Sequence, residues 1–427
     1  MIRYFKIILA VILLLFAGFN EVMAGEVLSW EDCILETRKN NPDLISSAES
    51  VKQENSLKAI TASGLFPQID TSLGASRAKT AGSSSASNSA ASTYSYSVSG
   101  TQLIFDGFKK INDVRAASEN VKSAQQAYRF TSSDVRLSLR SAFVNLLTAQ
   151  ELINVAEDIL RIRQDNLNLI TLRYQSGLEH RGALMTAEAN FADANFGLSQ
   201  AKRNLEFAQR QLTAAMGRGE FMPISVKGDF TVLQPAEEKP DFEDLVKTNP
   251  SVLEAAFKKN SASFGVKSAC GNFLPELTSA AGAGRRSSNW PPRGDQWDLG
   301  LSLSMPIFEG GLRLAQVSQA ESLYRQRQAD ERSAYDAAIV NLERTWAALR
   351  DAVESVFVQR KTLEASEERS KIAEAQYSTG FISFDNWIII ENDLVTAKKV
   401  YLQSQANALL AEANWIQAKG ETLEYAQ

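Results

Sequence analysis

The sequence has very little of the chemistry on which enzymes and metal proteins are built. One histidine and two cysteines stand among 427 residues. No nucleophile with its base and no ligand cluster accompanies them, so the chain is expected to be no enzyme and to hold no cofactor or metal. His180, without cysteine or histidine partners, reads as a surface residue. A formal charge of −5 without a basic run argues against a nucleic-acid partner. After the N-terminal stretch, no continuous apolar run reaches the roughly 20 residues of a membrane helix. If the chain enters a bilayer, it must do so as strands of a closed barrel, because bare strand edges do not survive in lipid. Proline is missing from Gln68 to Met222 and from Ile307 onward, which permits very long helices.

What is present begins with a secretory signal over residues 1–24. Arg3 and Lys6 supply the positive start, Ile7 to Ala17 the apolar core, and Val22-Met23-Ala24 the small-residue cleavage end. Cys33 follows Trp30-Glu31-Asp32, which lacks the small and apolar residues that precede a lipidated cysteine.

Most of the remaining chain is one unit written twice. Asn41-Pro42 recurs as Asn249-Pro250, and Leu65-Phe66-Pro67-Gln68-Ile69 as Phe273-Leu274-Pro275-Glu276-Leu277, both 208 residues on. Ile104-Phe105-Asp106-Gly107 recurs as Ile307-Phe308-Glu309-Gly310, Tyr174 to Gly177 matches Tyr377 to Gly380, and Gly217 matches Gly420, all at an offset of 203. The change of offset falls on the small polar stretch Gly82 to Ser89, whose counterpart is Arg285 to Gln296, and so labels a solvent-exposed hairpin loop. Cys33 and Cys270 hold non-equivalent places in this repeat, which argues against a disulfide between them.

Spacing assigns the elements. Val135, Leu139, Ala142, Leu146, Ala149, Ile153, Ala156 and Leu160 alternate by four and three, a coiled-coil seam. A second seam, Ala187, Phe191, Ala194, Leu198, Ala201, Leu205, Ala208, Leu212 and Ala215, keeps alanine at its narrow positions, where helix backbones approach closely. At the other end of each unit, Trp297, Leu299, Leu301, Leu303, Met305 and Ile307 alternate with Asp298, Gly300, Ser302 and Ser304, and a similar alternation runs from Leu65 to Ala75. About ten residues of alternating polarity suit a tilted strand with lipid on one side and water on the other. Tyr94 and its repeat mate Trp297 begin strands near the loops, where an interfacial aromatic belt is expected. Four strands cannot close a conducting barrel, since single-chain barrels begin at about eight, so the chain must assemble with other copies.

The predicted fold is therefore mainly α with a small antiparallel β part. A first repeat covers residues 25–217, with strands at about 65–76 and 94–105, a long helix at about 108–175, a turn near 177 and a helix at about 184–216. An inter-repeat segment, 218–240, leads to a second repeat, 241–420, with strands at about 273–284 and 297–307, a long helix at about 311–378, a turn near 380 and a helix at about 387–419. Residues 421–427 form a short tail.

As an ordered, duplicated set, these motifs resemble the TolC-like outer-membrane efflux proteins over nearly the whole mature chain. The resemblance implies a homotrimer in which four strands from each copy form one intersubunit β-barrel and the helices form an α-barrel across the periplasm. It implies docking to a periplasmic adaptor and an inner-membrane pump, with export of drugs, metals or, in type I secretion, proteins. It also implies an equatorial belt from the inter-repeat and C-terminal segments. The turns around Tyr174, Gly177, Tyr377 and Gly380 become the surfaces an adaptor would touch. The family's acidic positions after the second turn correspond to Asn386 and Ile389, so the candidates for a polar periplasmic mouth are Asp385, Asn386, Glu391 and Asp393. The competing reading is a periplasmic adaptor-like coiled-coil protein without its own pore.

Overall fold

The computed structural model describes residues 26–79, 90–231 and 239–425. The signal segment, the loop at Gly82 to Ser89, part of the inter-repeat segment and the last two residues of the tail lie outside the described residues. In chain order the elements are β1 (Glu26–Leu28), α1 (Trp30–Asn40), α2 (Pro42–Ser63), β2 (Gln68–Ala78), β3 (Ala91–Phe105), α3 (Lys109–Gln175), α4 (Arg181–Ala215) and β4 (Ile224–Val226). They continue as α5 (Phe242–Lys247), α6 (Pro250–Gly271), β5 (Glu276–Ser287), β6 (Gly294–Ser304), α7 (Leu312–Ser378), α8 (Phe384–Ala418) and a 3-10 turn at Leu423–Tyr425. α3 and α7 each have 67 residues, about 100 Å at 1.5 Å per residue. The fold is mainly helical with a small antiparallel sheet, and two compact units divide it.

One unit takes in the chain up to Ile45, Thr131–Phe242 and Val340–Gln427. Its helices begin and end where short side chains satisfy orphan backbone groups. In the repeated Asn-Pro pair, Asn41 Oδ1 accepts from the N–H groups of Asp43 and Leu44 at 3.0 and 3.2 Å, and Pro42 fills a first-turn position that needs no donor. Asn41 Nδ2 also donates to the Ala215 carbonyl at 3.0 Å, joining the start of α2 to the end of α4. β1 pairs in parallel with β4, and Gln150 of α3 clamps β4 by accepting from Val226 N at 2.8 Å and donating to its carbonyl at 3.0 Å. The tail is held by Leu423 N donating to Ser132 Oγ and by the Arg136–Glu421 pair, both at 3.1 Å. Along α4, Ala187, Ala194, Ala201 and Ala208 are buried at intervals of seven, as an alanine seam requires.

The other unit comprises Ser46–Phe130 and Glu243–Ile339, and holds the sheet in the order β2-β3-β5-β6. The strands correct the sequence boundaries. β2 begins at Gln68 and β5 at Glu276, each just after a proline, which has no N–H for a ladder. Leu65 and Phe66, like Phe273 and Leu274, instead donate back to the helix ends before them. At the loop side the strands run further, starting at Ala91 and Gly294, so Tyr94 and Trp297 stand three residues inside rather than at the first position. β6 stops at Ser304, before Pro306. The strand-to-helix turn puts Gly107 at φ +70° with its α-carbon against the Gly271 carbonyl, and Phe108 follows in the same left-handed region at +65°.

Candidate channel wall and helical tips

The register of the sheet sorts its two faces. One row runs Thr71, Val98, Ala283 and Trp297 across the four strands, so this face is mostly apolar, and the next row toward the loops, Leu73, Tyr96, Arg285 and Asp295, turns polar at its β5 and β6 end. On the other face Ser72 stands opposite Ser97, Ser99 opposite Gly282, and Gly282 opposite Asp298. The apolar face is bare: Trp297, Leu299, Leu301 and Leu303 of β6 are 68–81 % exposed, and Ile69 and Leu73 of β2 are each 74 % exposed. Every residue of β2 and β6 is exposed, and these two strands are the outer members of the sheet, with one edge unpaired among the described residues. Such a sheet is not half-buried over a core of its own. Its apolar face and its open edges both require neighbours. Near the loops Tyr94 meets Trp290 edge to face, with ring centroids 6.2 Å apart, and Arg285 pairs with Asp295 at 2.6 Å.

In the other unit, the ends of α3 and α7 terminate in the same way. Gly177 and Gly380 adopt φ of +70° and +84°. Leu178 N donates to the Arg173 carbonyl and Phe381 N to the Gln376 carbonyl, both at 2.8 Å, while each glycine N–H bonds three residues back. The residue after each glycine is apolar and open, Leu178 at 66 % and Phe381 at 84 % exposure. Tyr174 is also exposed, whereas Tyr377 is buried and does not present itself at a surface.

Tyr377 is instead the centre of a packed cluster with Ile170, Ala183, Ala187, Ala373, Phe384 and Trp387. Its ring stacks on Trp387 at 4.5 Å between centroids and 5° between planes, and the Arg173 guanidinium lies 4.7 Å from its centroid. Its hydroxyl donates to Glu179 Oε2 at 2.7 Å. Burial first, and then the Glu179 carboxylate, pushes the phenol well above its ordinary pKa. The cue that could have found this cluster is Phe384-x-x-Trp387, two aromatics on one face at the start of a helix.

The mouth candidates separate. Asp385 and Asn386 are exposed in the first turn of α8, where Asn386 N donates to the cap Ser383 Oγ at 3.4 Å. Asp393 is exposed and pairs with Arg369 at 3.2 Å. Glu391 is a correction: it is 3 % exposed and accepts from Ser370 Oγ of α7 at 2.5 Å. It shares the stripe of Phe384, Trp387 and Leu394, which faces the neighbouring helices. His180 has a role that the sequence reading missed, since its Nδ1 accepts from Ala183 N at 3.1 Å and caps α4. Both cysteines are free, Cys33 buried and Cys270 exposed. Among the described residues, no helix is long and apolar enough to cross a membrane, and no group of three or more histidine, cysteine or acidic side chains could hold a metal.

The chain is similar to known proteins along most of its length. It is 23 % identical over 423 residues to the outer membrane protein TolC of Escherichia coli, covering 95 % of this chain and 84 % of that protein. It is 22 % identical over 412 residues to the outer membrane efflux protein BepC of Brucella suis, covering 93 % and 88 %. Among solved structures, the Campylobacter jejuni CmeC outer membrane channel superposes with a TM-score of 0.80 at 18 % identity, over 91 % of this chain and 85 % of that one. The outer membrane protein VceC of Vibrio cholerae gives a TM-score of 0.80 at 17 % identity, over 92 % and 96 %. Residues 33–218 and 242–422, the two halves of the duplication, each match the outer membrane efflux protein family, and the chain belongs to that family.

Proposed function

We propose that this protein is the outer-membrane channel subunit of a tripartite efflux or type I secretion system, a passive conduit across the periplasm and the outer membrane. The observation that carries the reading is the four-stranded sheet with apolar and polar faces in register, its outer strands exposed along their whole length and, among the described residues, each with one unpaired edge. Three copies would supply twelve such strands, enough for a closed barrel with lipid outside and a wet lumen. Tyr94 and Trp297, with Trp290, would sit toward the outer interface.

The helices would then form the periplasmic α-barrel, with β1, β4 and the C-terminal turn as a small equatorial belt. Leu178 and Phe381, beside Gly177 and Gly380, offer apolar knobs to an adaptor's helical hairpin, with Tyr174 alongside. Asp385, Asn386 and Asp393 are the polar residues available to the periplasmic mouth. The adaptor reading gives way because an adaptor has no use for two exposed membrane hairpins. An inner-membrane pump would supply the energy for export through this passive conduit.

The test is extraction of the outer-membrane fraction and comparison of heated and unheated gel mobility. A heat-sensitive oligomer that conducts ions in planar bilayers is expected, and a soluble or inner-membrane monomer would refute the proposal. Phe381→Asp should abolish export while leaving that oligomer intact; normal export would remove the tips from the docking surface.

A further inference from the structure

The duplication holds to the residue in the long helices: α3 and α7, and likewise α4 and α8, begin and end 203 residues apart. Equivalent helices bury equivalent faces, yet the chain makes one contact of this kind only once. Within it α8 packs on α3, where Lys398 donates to Asp158 at 2.5 Å and Arg163 to Asn392 at 2.6 Å. The apolar part of that contact has two centres. Near the turns, Leu169 of α3 and Ile388 of α8 pack against one buried cluster. Further along, Val144 of α3 and Leu410 of α8 belong to another.

The repeat mates of these four residues are bare. Ile372 and Ala347 of α7 stand for Leu169 and Val144, and Met185 and Phe207 of α4 stand for Ile388 and Leu410. All four are exposed, the three larger ones at 50–62 %. On α4, Met185, Phe196 and Phe207 recur every eleven residues, about three turns, and so form one stripe. Val358 joins Ile372 and Ala347 on one face of α7, and both it and Phe196 are exposed as well. In a second copy related by rotation about an axis along the helices, heights are preserved. The register of α8 on α3 then sets Met185 level with Ile372, Phe207 level with Ala347, and Phe196 within a turn of Val358. The polar pair survives with its roles exchanged, since Asn195 and Lys361 stand for Lys398 and Asp158. Lys361 is held to Glu364 on its own helix at 2.7 Å and has further protons to donate.

We propose that α4 of one copy packs on α7 of the next through these side chains, duplicating between chains the contact that α8 makes with α3 within one. The inference rests on the oligomeric channel reading and adds which faces meet and in what register. Two different faces meeting head to tail do not make a two-fold pair; they generate a ring when the rotation closes.

The experiment places cysteine pairs in a Cys270→Ser parent, in which the remaining Cys33 is buried. Met185→Cys with Ile372→Cys, and separately Asn195→Cys with Lys361→Cys, are oxidised in outer-membrane vesicles with copper phenanthroline and run on heated, non-reducing gels. Each pair should move most of the chain into a covalent ladder that ends at the size of the heat-sensitive oligomer and collapses to monomer on reduction. Chains with a single one of these cysteines should stay monomeric. So should Met185→Cys with Ala347→Cys, because Ala347 lies 25 residues, about 37 Å, from Ile372 along α7. The Asn195 and Lys361 pair leaves the apolar stripes whole, so it decides where the other pair prevents assembly. A heat-sensitive oligomer that yields no ladder from it would overturn this interface and leave the channel reading standing. Linking of single-cysteine chains, or a ladder from the mismatched pair, would overturn it too. A parent that forms no heat-sensitive oligomer would refute both the interface and the channel reading.

Discussion

The phenol of Tyr377 donates a 2.7 Å hydrogen bond to Glu179, tying the last turn of α7 to the loop that follows α3. The two halves of the duplication thus meet at their turns through a pair that is not itself duplicated, since Tyr174, the repeat mate of Tyr377, is exposed. Tyr377→Phe keeps the stack on Trp387 and removes only the hydroxyl. It should destabilise the tip by about 1 kcal/mol, read as faster amide exchange in residues 173–180 and 376–384.

The same pair gives a pH dependence of known sign. The phenol in an unfolded chain ionises near pH 10, whereas in the folded chain burial and then Glu179 hold it neutral to higher pH. Above about pH 10 the unfolded state therefore binds fewer protons than the folded one, so this stability contribution is complete below that pH and is lost above it. Melting curves should show an alkaline decline that is smaller in Tyr377→Phe. Equal declines in the two proteins would remove Tyr377 as its source.

The fold class was legible because it rests on periodicity. The seam from Val135 to Leu160 and the alternation from Trp297 to Leu303 survive in any context that buries one side of a helix or wets one side of a strand. The strand limits were less so: Pro67 and Pro275 look like strand residues by polarity, yet each lacks an N–H, and the ladder begins only at Gln68 and Glu276, three residues past the expected starts. Glu391 was misplaced because acids after a turn were counted by distance from Gly380 rather than by the stripe they share with Trp387. The His180 cap and the buried Arg163, which donates to Asn392, left no trace in the sequence, since an imidazole seldom caps a helix and a lone arginine on a long helix ordinarily snorkels to water.

Two left-handed glycines should respond differently to alanine. Gly177, at φ +70°, has open space where a β-carbon would stand, so Gly177→Ala costs only the backbone preference, about 1–2 kcal/mol. At Gly217, φ +79°, the added carbon would strike the Asn40 carbonyl and the Asn41 α-carbon, so the end of α4 would have to move away from the start of α2. Denaturant titration should rank Gly217→Ala well below Gly177→Ala in stability. The reverse order would mean that the Asn41–Ala215 junction yields easily.

Cys33 and Cys270 should differ as nucleophiles. Burial first, then the Asp32 and Glu36 carboxylates, push the Cys33 thiol up to about 12, with Arg218 opposing. Only the thiolate reacts with iodoacetamide. At about pH 8, close to the ordinary thiol value, mass spectrometry of the native protein should find Cys270 alkylated and Cys33 intact, with both modified after denaturation. Rapid native labelling of Cys33 would show that α1 opens readily from the helices beneath it.

The alanine seam of α4 supplies the most direct check on how closely the helices pack. Ala208 is 4 % exposed and falls in the heptad series with Ala187, Ala194 and Ala201. Ala208→Leu adds three carbons at this buried position, and overpacking of this kind costs about 1–3 kcal/mol. Glu206→Leu places the same side chain on the exposed face two residues away and serves as the control. The seam variant should lower both the melting temperature and the yield of heat-sensitive oligomer, while the control changes neither by much. If Ala208→Leu assembles as well as the parent, the helices stand further apart than a small-residue seam implies, and the alanines are there for helix propensity alone.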